Sequence, residues 1–330
     1  FQFVKDLQLY FDRWWTWTDP ALRKSLAKPL MKVYDPVIDQ YRMVPCFSIV
    51  AGSDHAPECP NPFPDSSHTR YNLANRMPLV LNGTAGGTIL TCSPPGICDT
   101  PASVYSKYGP APAGRTWDGD ALVQTIQSAT STVSLSVMDY IPTTMYDMCA
   151  GAWWPALNDA LLAKLAQGTH VRLLISRWQH TKSTMATFLH ALDSMAKAVL
   201  ATSKHNGTFE IRLFELAGRQ NTSGLDGQYP TFSRVNHAKY IVTDQLFNVG
   251  TSNMEWSYFY NTAGTSFNSD HPLLRGQLQS VFDRDWASAY AKRFVPELLI
   301  GRPFLPELPP QTELPVSFPS AGELVAETLV

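Results

Sequence analysis

The chain has 330 residues, 44% of them hydrophobic and 16% charged, with a formal net charge of −2. That balance describes an ordinary globular protein and excludes a disordered polyelectrolyte, and any polyanionic partner has to be drawn by a local patch rather than by bulk charge. No apolar run reaches the roughly 18 residues that a membrane helix needs, and no signal peptide stands at Phe1.

The first hundred residues are rich in Pro, Gly, Asn and Ser, with helix only near the start and a long irregular stretch over about 51–113. From about 115 to 293 helix and strand signals alternate. Apolar spacing predicts a helix over 120–129, and period-two alternation predicts a strand over 132–141. A helix over 154–166 stops at Gly168 as its C-terminal cap. A buried-type strand covers 171–176, and a helix over 183–202 carries Met185, Phe188, Leu189, Leu192 and Met195 on one side. Strands follow over 209–216, around Tyr240, around Val249 and over 263–267, and a last helix covers 273–294. The stretch 303–319 holds six prolines in 17 residues and reads as extended. This order is α/β, a mixed sheet with helices packed on its faces.

An internal repeat bears on organisation. Leu7-Gln8-Leu9-Tyr10-Phe11-Asp12-Arg13-Trp14-Trp15 matches Leu278-Gln279-Ser280-Val281-Phe282-Asp283-Arg284-Asp285-Trp286 at six of nine positions. The second copy lies in the last helix of the α/β unit, so the first copy is expected to be the last helix of an earlier, similar unit. The chain then divides into the end of a preceding unit (1–50), an irregular Pro/Gly-rich connection (51–114), one complete unit (115–294) and a Pro-rich tail (295–330).

Three Asn-x-Ser/Thr sequons, at Asn82, Asn206 and Asn221, favour a lumenal or extracellular setting. None of the five cysteines has zinc-ligand spacing with a His pair, so no metal and no cofactor is expected. Cys92 and Cys98 flank Ser-Pro-Pro-Gly-Ile, a turn that can close a small disulfide loop; buried free thiols are the alternative.

The chemistry concentrates in Val235-Asn236-His237-Ala238-Lys239-Tyr240-Ile241-Val242-Thr243-Asp244, followed six residues later by Gly250-Thr251-Ser252-Asn253. His237 and Lys239, two apart on a strand, face the same way, and the turn after the next short strand can return the Asn253 amide beside them. An imidazole, an ammonium and a carboxamide suit a phosphodiester. The imidazole attacks phosphorus or protonates the leaving oxygen, while Lys239 and Asn253 hold the non-bridging oxygens without a metal. His180-Thr181-Lys182 has no Asp five residues after the Lys and no Gly-x-x-Asn sequel, so it reads as an ordinary loop. The aromatic cluster Trp14, Trp15 and Trp17, and the pair Trp153 and Trp154, read as core in preference to base-stacking surface. Asp139, at a strand end, either lines the site or sits at a core edge, and Tyr258 and Phe259 border a pocket or fill the core.

His237-x-Lys239-x4-Asp244 with Gly250-Thr251-Ser252-Asn253 resembles the HKD motif of the phospholipase D superfamily. The stretches Val137–Thr143, Trp154–Leu157, Val171–Ser176 and Thr262–Ser266 resemble phospholipase D family members three and four, and the similarity runs through most of 70–290. The resemblance implies a phospholipase D-like fold and an endolysosomal or secreted glycoprotein. Its relatives act as 5′ exonucleases on single-stranded DNA and RNA, with lipid transphosphatidylation also attributed to them. It further implies a phosphohistidine intermediate, an acidic working pH and two HKD motifs per site. The second motif is not among these residues, so it is expected from a segment preceding Phe1 or from a partner chain, as in a homodimer. By analogy His237 is the nucleophile, with Asp244, Thr251 and Ser252 in support. Relatives often carry an acidic residue where Asn261 stands, so Asn261 orients the ring but stabilises an imidazolium less. A non-catalytic interaction protein that keeps the fold is the third reading, beside nuclease and lipid enzyme.

Overall fold

The computed structural model describes residues 2–21, 30–35, 40–45, 69, 71–93, 115–144, 153–219, 229–230, 232–260 and 262–295. Two helices and four strands form before the motif-bearing half: α1 (Gln2–Trp17), β1 (Leu30–Asp35), β2 (Gln40–Pro45), β3 (Met77–Leu81), β4 (Thr84–Ser93) and α2 (Asp118–Ser128), with β1 and β2 in a separate hairpin. There follow β5 (Thr132–Val137), α3 (Ala156–Ala166), β6 (His170–Ser176), α4 (Ser183–Thr202) and β7 (Thr208–Phe214). The last group is β8 (Lys239–Thr243), β9 (Phe247–Val249), α5 (Trp256–Tyr260), β10 (Gly264–Ser269), α6 (Pro272–Trp286) and β11 (Ala291–Arg293).

Nine of these strands make one mixed sheet in the order β11-β7-β6-β5-β8-β9-β10-β4-β3. β5, β6 and β7 run parallel, joined by helical crossovers, and β8 lies antiparallel against β5. Alternating side chains feed two cores on opposite faces. Val171, Leu173 and Ile175 of β6 join Ile241 of β8 under α2, α3 and α4, whereas Leu174, Tyr240 and Val242 face Phe282 and Trp286 of α6. Truncating a wholly buried Leu173 or Leu161 to Ala would cost about 2–5 kcal/mol. The result is a sheet between two helical layers, the α/β class expected.

Local chemistry accounts for the element ends. Helix α4 places Met185, Leu189, Leu192 and Ala196 on its buried face at spacings of three and four, and it contains neither Gly nor Pro. Helix α3 ends with Gly168 in the left-handed region at φ 95°, with Gly168 N–H and Thr169 N–H donating to Leu165 O and Lys164 O.

Two expectations change. Residues 77–93, read as irregular, form the β3–β4 hairpin at the edge of the main sheet, closed by Asn82 and Gly83 at φ 49° and 74°. A two-residue turn with both φ positive has the twist that strands need, and Asn-Gly is its preferred sequence. The last helix stops at Trp286 instead of running to 294, and β11 pairs with β7 beyond it. Helix α1 packs against the unit that follows it: Arg115 donates to both carboxylate oxygens of Asp6 and to its backbone O, at 1% and 3% side-chain exposure. Tyr10 Oη on α1 donates to Ser93 O and Gly264 O, and burial pushes its hydroxyl up to about 12.

Asn82 and Asn206 are exposed, while Asn221 lies outside the described residues. Cys92 is wholly buried and disulfide-bonded, and Cys98 lies outside the described residues, as do the other cysteines and the Pro-rich stretch 303–319. Trp14 and Trp154 pack against the core as expected of them, but Trp15 and Trp153 are exposed, and the side chain of Trp17 lies outside the described residues. Phe259 is fully buried and Tyr258 packs beside it, so both belong to the core. No helix among the described residues is long and apolar enough to cross a membrane.

Candidate active site

Because β8 opposes β5, its first residue meets the carboxyl ends of β5 and β6, the rim where α/β sheets gather their chemistry. Lys239 pairs in register with Val137. The strand begins at Lys239, so His237 stands two residues outside it, contrary to its expected place on the strand. The reason is Asn236: its Oδ1 accepts from Ala238 N–H at 3.2 Å, and its own N–H donates to Ser176 Oγ at 3.2 Å. This side-chain turn takes the place of a ladder bond and lifts His237 out to solvent.

Behind the exposed His237, polar groups gather under cover. Lys239 is 7% exposed and Asn253 is 0% exposed. Lys239 Nζ donates to His237 O at 3.4 Å, and Asn253 Nδ2 donates to Asp139 Oδ2 at 2.9 Å. The backbone holds the same groups: Met138 N–H donates to Ala238 O, Met254 N–H to Asp139 O, and Gly250 N–H to Lys239 O, each at 3.0 Å. Thus the strand end of β5, the start of β8 and the turn after β9 meet at one place. Asp139 proves to be the common partner, so of its two readings the structure favours the site.

The electrostatics follow from burial. Burial pushes the Asp139 carboxyl up to about 6, with the Glu255 carboxylate adding to the rise and the ammoniums of Lys239 and Lys182 opposing it. Burial pulls Lys239 down to about 8 against the pull of Asp139. His237 is lowered by partial burial and then by the positive charge of Lys239. A neutral imidazole next to a charged ammonium is therefore the ordinary state near neutral pH, the form a nucleophile needs. Glu255, fully buried beside this group, accepts from the N–H groups of Ser257 and Tyr258 at the start of α5. Sequence reasoning passed over it because nothing in the motif marks its position.

The remaining predicted residues separate. Asp244 lies at the other end of β8, five residues on, or ~17 Å at strand rise. There it accepts from the N–H groups of Thr130, Ser131 and Thr132 and from Thr130 Oγ1 and Gln245 Nε2. It fastens the loop before β5 and does not approach Lys239. Thr251 is exposed and Ser252 buried, in a turn laid so closely on β10 that a Cβ at Gly250 would come 2.2 Å from Ser266 Oγ. Asn261 lies outside the described residues.

Residues 63–219 match the family model described as PLD3/4, PLD-like domain, a span that ends before His237. Among curated proteins, the chain is 37% identical to "Phospholipase D Z" of Dictyostelium discoideum over 236 residues, covering 71% of this chain and 49% of that protein. It is 36% identical to "5'-3' exonuclease PLD3" of Rattus norvegicus over 270 residues, covering 81% of this chain and 48% of that protein. The chain thus spans about half the length of these relatives. Among solved structures, NucT from Helicobacter pylori is similar at a TM-score of 0.41 and 12% identity, over 63% of this chain and 99% of that one. The chain belongs to the phospholipase D superfamily, with a PLD-like domain of the PLD3/4 type.

Proposed function

We propose that this chain contributes one HKD half-site to a metal-independent phosphodiesterase, a 5′ exonuclease on single-stranded DNA or RNA. The observation that carries the proposal is the burial of Lys239, Asn253 and Asp139 together beneath an exposed His237. His237 attacks phosphorus with its neutral imidazole, forming an N–P bond to the terminal nucleotide as the P–O bond to the 5′ oxygen of the remaining strand breaks. Lys239 and Asn253 stabilise the charge on the non-bridging oxygens. Asp139 positions the Asn253 amide and holds the charge on Lys239. Asn253 has no exposed surface, so its contact with a phosphoryl oxygen belongs to the substrate-bound state. A second histidine, supplied from outside these 330 residues or by a partner copy, protonates the leaving oxygen, and water then hydrolyses the phosphohistidine.

The relatives' names support the nuclease reading and also keep phospholipid as a rival substrate. We propose a lumenal or secreted setting on the three sequons, with Cys92 bonded to Cys98 across the intervening turn. The test is digestion of a 5′-hydroxyl oligonucleotide in EDTA at acidic pH, run beside a labelled phospholipid. His237→Ala is expected to abolish release of nucleotides. Persisting digestion by that variant, or turnover of lipid alone, overturns the reading.

A further inference from the structure

The loop after β6 and the loop before β8 bring three rings together beside the candidate site. His180 stacks on Phe232 with centroids 4.7 Å apart and planes at 24°, and Trp178 meets His180 edge-on at 4.8 Å. Phe232 is 68% exposed, more than almost any other large apolar side chain described. It and Arg234 hold φ of 60° and 57°, a conformation that residues with side chains rarely adopt and that concentrates at functional sites. A solvent-facing ring held in a strained backbone, on a hydrophobic stack of two others, is not explained by packing of the core.

A cleft lies against the loop that carries Phe232. It has a volume of about 450 Å³ and is lined by Glu215, Gly218, Arg219, Tyr290 and Lys292 among others. Glu215 is met by three cations: Arg177 at 2.7 Å, with Arg219 and Lys292 each at 3.8 Å. One carboxylate among three cations leaves a net positive surface, with Lys292 64% exposed. The cleft is joined to His237 through the neighbouring backbone. Asn236, its chain neighbour, bonds Ser176; the residue after Ser176 is Arg177, which grips Glu215. Arg234 Nε donates to Ala217 O at 2.7 Å, and Tyr229 lies so close over Gly218 that a Cβ there would come 2.1 Å from its ring. The ring-bearing loop and the cleft share a wall.

Aromatic faces combined with a positive groove are the physical requirements of a single-strand binding surface, because every base has a face to stack and every nucleotide a phosphate to neutralise. We infer that the strip from His237 over Phe232 and His180 to the cleft of Arg219 and Lys292 is the track of a single-stranded nucleic acid, with a base stacked on Phe232 and later phosphates on the cations. This rests on the phosphodiesterase reading of His237 and supplies what that site lacks, a means of telling a nucleic acid from a phospholipid. A lipid headgroup offers neither a base nor a second phosphate in sequence.

Binding separates the track from the chemistry. In a His237→Ala background, which keeps the strand intact, fluorescence anisotropy would follow a labelled twelve-residue oligothymidylate and an abasic strand of the same length. Phe232→Ala is expected to weaken the oligothymidylate about tenfold and to leave the abasic strand unchanged, with Phe232→Trp restoring affinity. Arg219→Gln with Lys292→Gln is expected to lower the log–log salt slope for both strands by about 1.4, at ~0.7 for each of the two charges removed. Wild-type affinity in Phe232→Ala, or no binding of oligothymidylate at all, overturns the track. Hydrolysis of bis(p-nitrophenyl) phosphate, with one phosphate and no base, reads the phosphodiesterase separately. Wild-type oligothymidylate affinity in Phe232→Ala, with hydrolysis by the unsubstituted protein present, refutes only the track; absent hydrolysis by the unsubstituted protein, with the tenfold loss in Phe232→Ala observed, refutes only the chemistry.

Discussion

Replacing Asp139 with Asn isolates one charge in the candidate site. The amide keeps the shape and still offers an oxygen to Asn253 Nδ2, now 2.9 Å away, so the covered trio need not rearrange. What disappears is the negative charge that opposes the effect of burial on Lys239, whose ammonium titrates at about 8. Two unit charges ~4 Å apart at an effective dielectric of ~20 attract by ~4 kcal/mol, an upper limit for this pair, which makes no direct ion contact. A pKa moves one unit for each ~1.4 kcal/mol. Discounted for water on the open side of the site, the loss lowers Lys239 by about one unit. The sign follows from the chemistry: the ammonium must be charged to hold a phosphoryl oxygen, so activity is lost as pH rises through the pKa of Lys239. In Asp139→Asn that alkaline limb should move about one pH unit lower. The acid limb, set by protonation of His237 below its lowered pKa, remains. A pH–rate profile on a chromogenic phosphodiester gives the limbs, and NMR titration of labelled lysine reads Lys239 independently of turnover. Coincident alkaline limbs, with an unmoved Lys239 resonance, would refute the coupling between the two residues.

Two further predictions concern the framework. Asp244→Ala should lower folding stability by about 1–2 kcal/mol through loss of the bonds to Thr130, Ser131 and Thr132, seen as a lower thermal midpoint, while leaving kcat per folded molecule unchanged. Burial raises the Asp244 carboxyl but the bonds from Thr130, Gln245, Ser131 and Thr132 outweigh it and hold it below the usual range, so its stabilisation is present above pH ~4 and lost as pH falls. A thermal melt at pH 7 and pH 3, with the wild type alongside, checks both parts. Asp118, buried against Thr91 and Ser266, is raised by burial to about 6. The folded form therefore keeps a proton that the unfolded chain releases near pH 4, and stability should fall as pH rises from about 4 to about 6, on the order of 2–3 kcal/mol. Asp118→Asn should lose that share of the slope in urea unfolding at pH 4.5 and 7, and equal slopes in both proteins would count against it.

Much of this was legible in the sequence. The helix over 183–202 was, because a long run with apolar residues every three or four positions and no Gly or Pro has no competing pattern. His237, Lys239 and Asn253 could be named because their spacing carries a signature, whereas strand parity does not reach His237, which stands two residues before β8. The β3–β4 hairpin was hidden by its composition, although Asn82-Gly83 was a signal for it. Strand β11 has three residues, Ala291 to Arg293, and takes its order from β7 rather than from its own pattern. The role of Asp139 depends on a bond spanning 114 positions, and the stack of His180 on Phe232 on a contact spanning 52, neither of which a local pattern encodes. His180-Thr181-Lys182 read as an ordinary loop because its significance lies in what Phe232 brings to it.

The fork of Arg115 on Asp6 has a consequence for motion. Apolar contacts such as Phe3 on Phe267 would tolerate a helix that slips by a residue or rotates a little. A planar guanidinium holding two carboxylate oxygens and a carbonyl of one residue tolerates neither, since every displacement strands a charge out of water. Helix α1 is accordingly locked in both rotation and axial position, and it should tumble as one piece with the sheet.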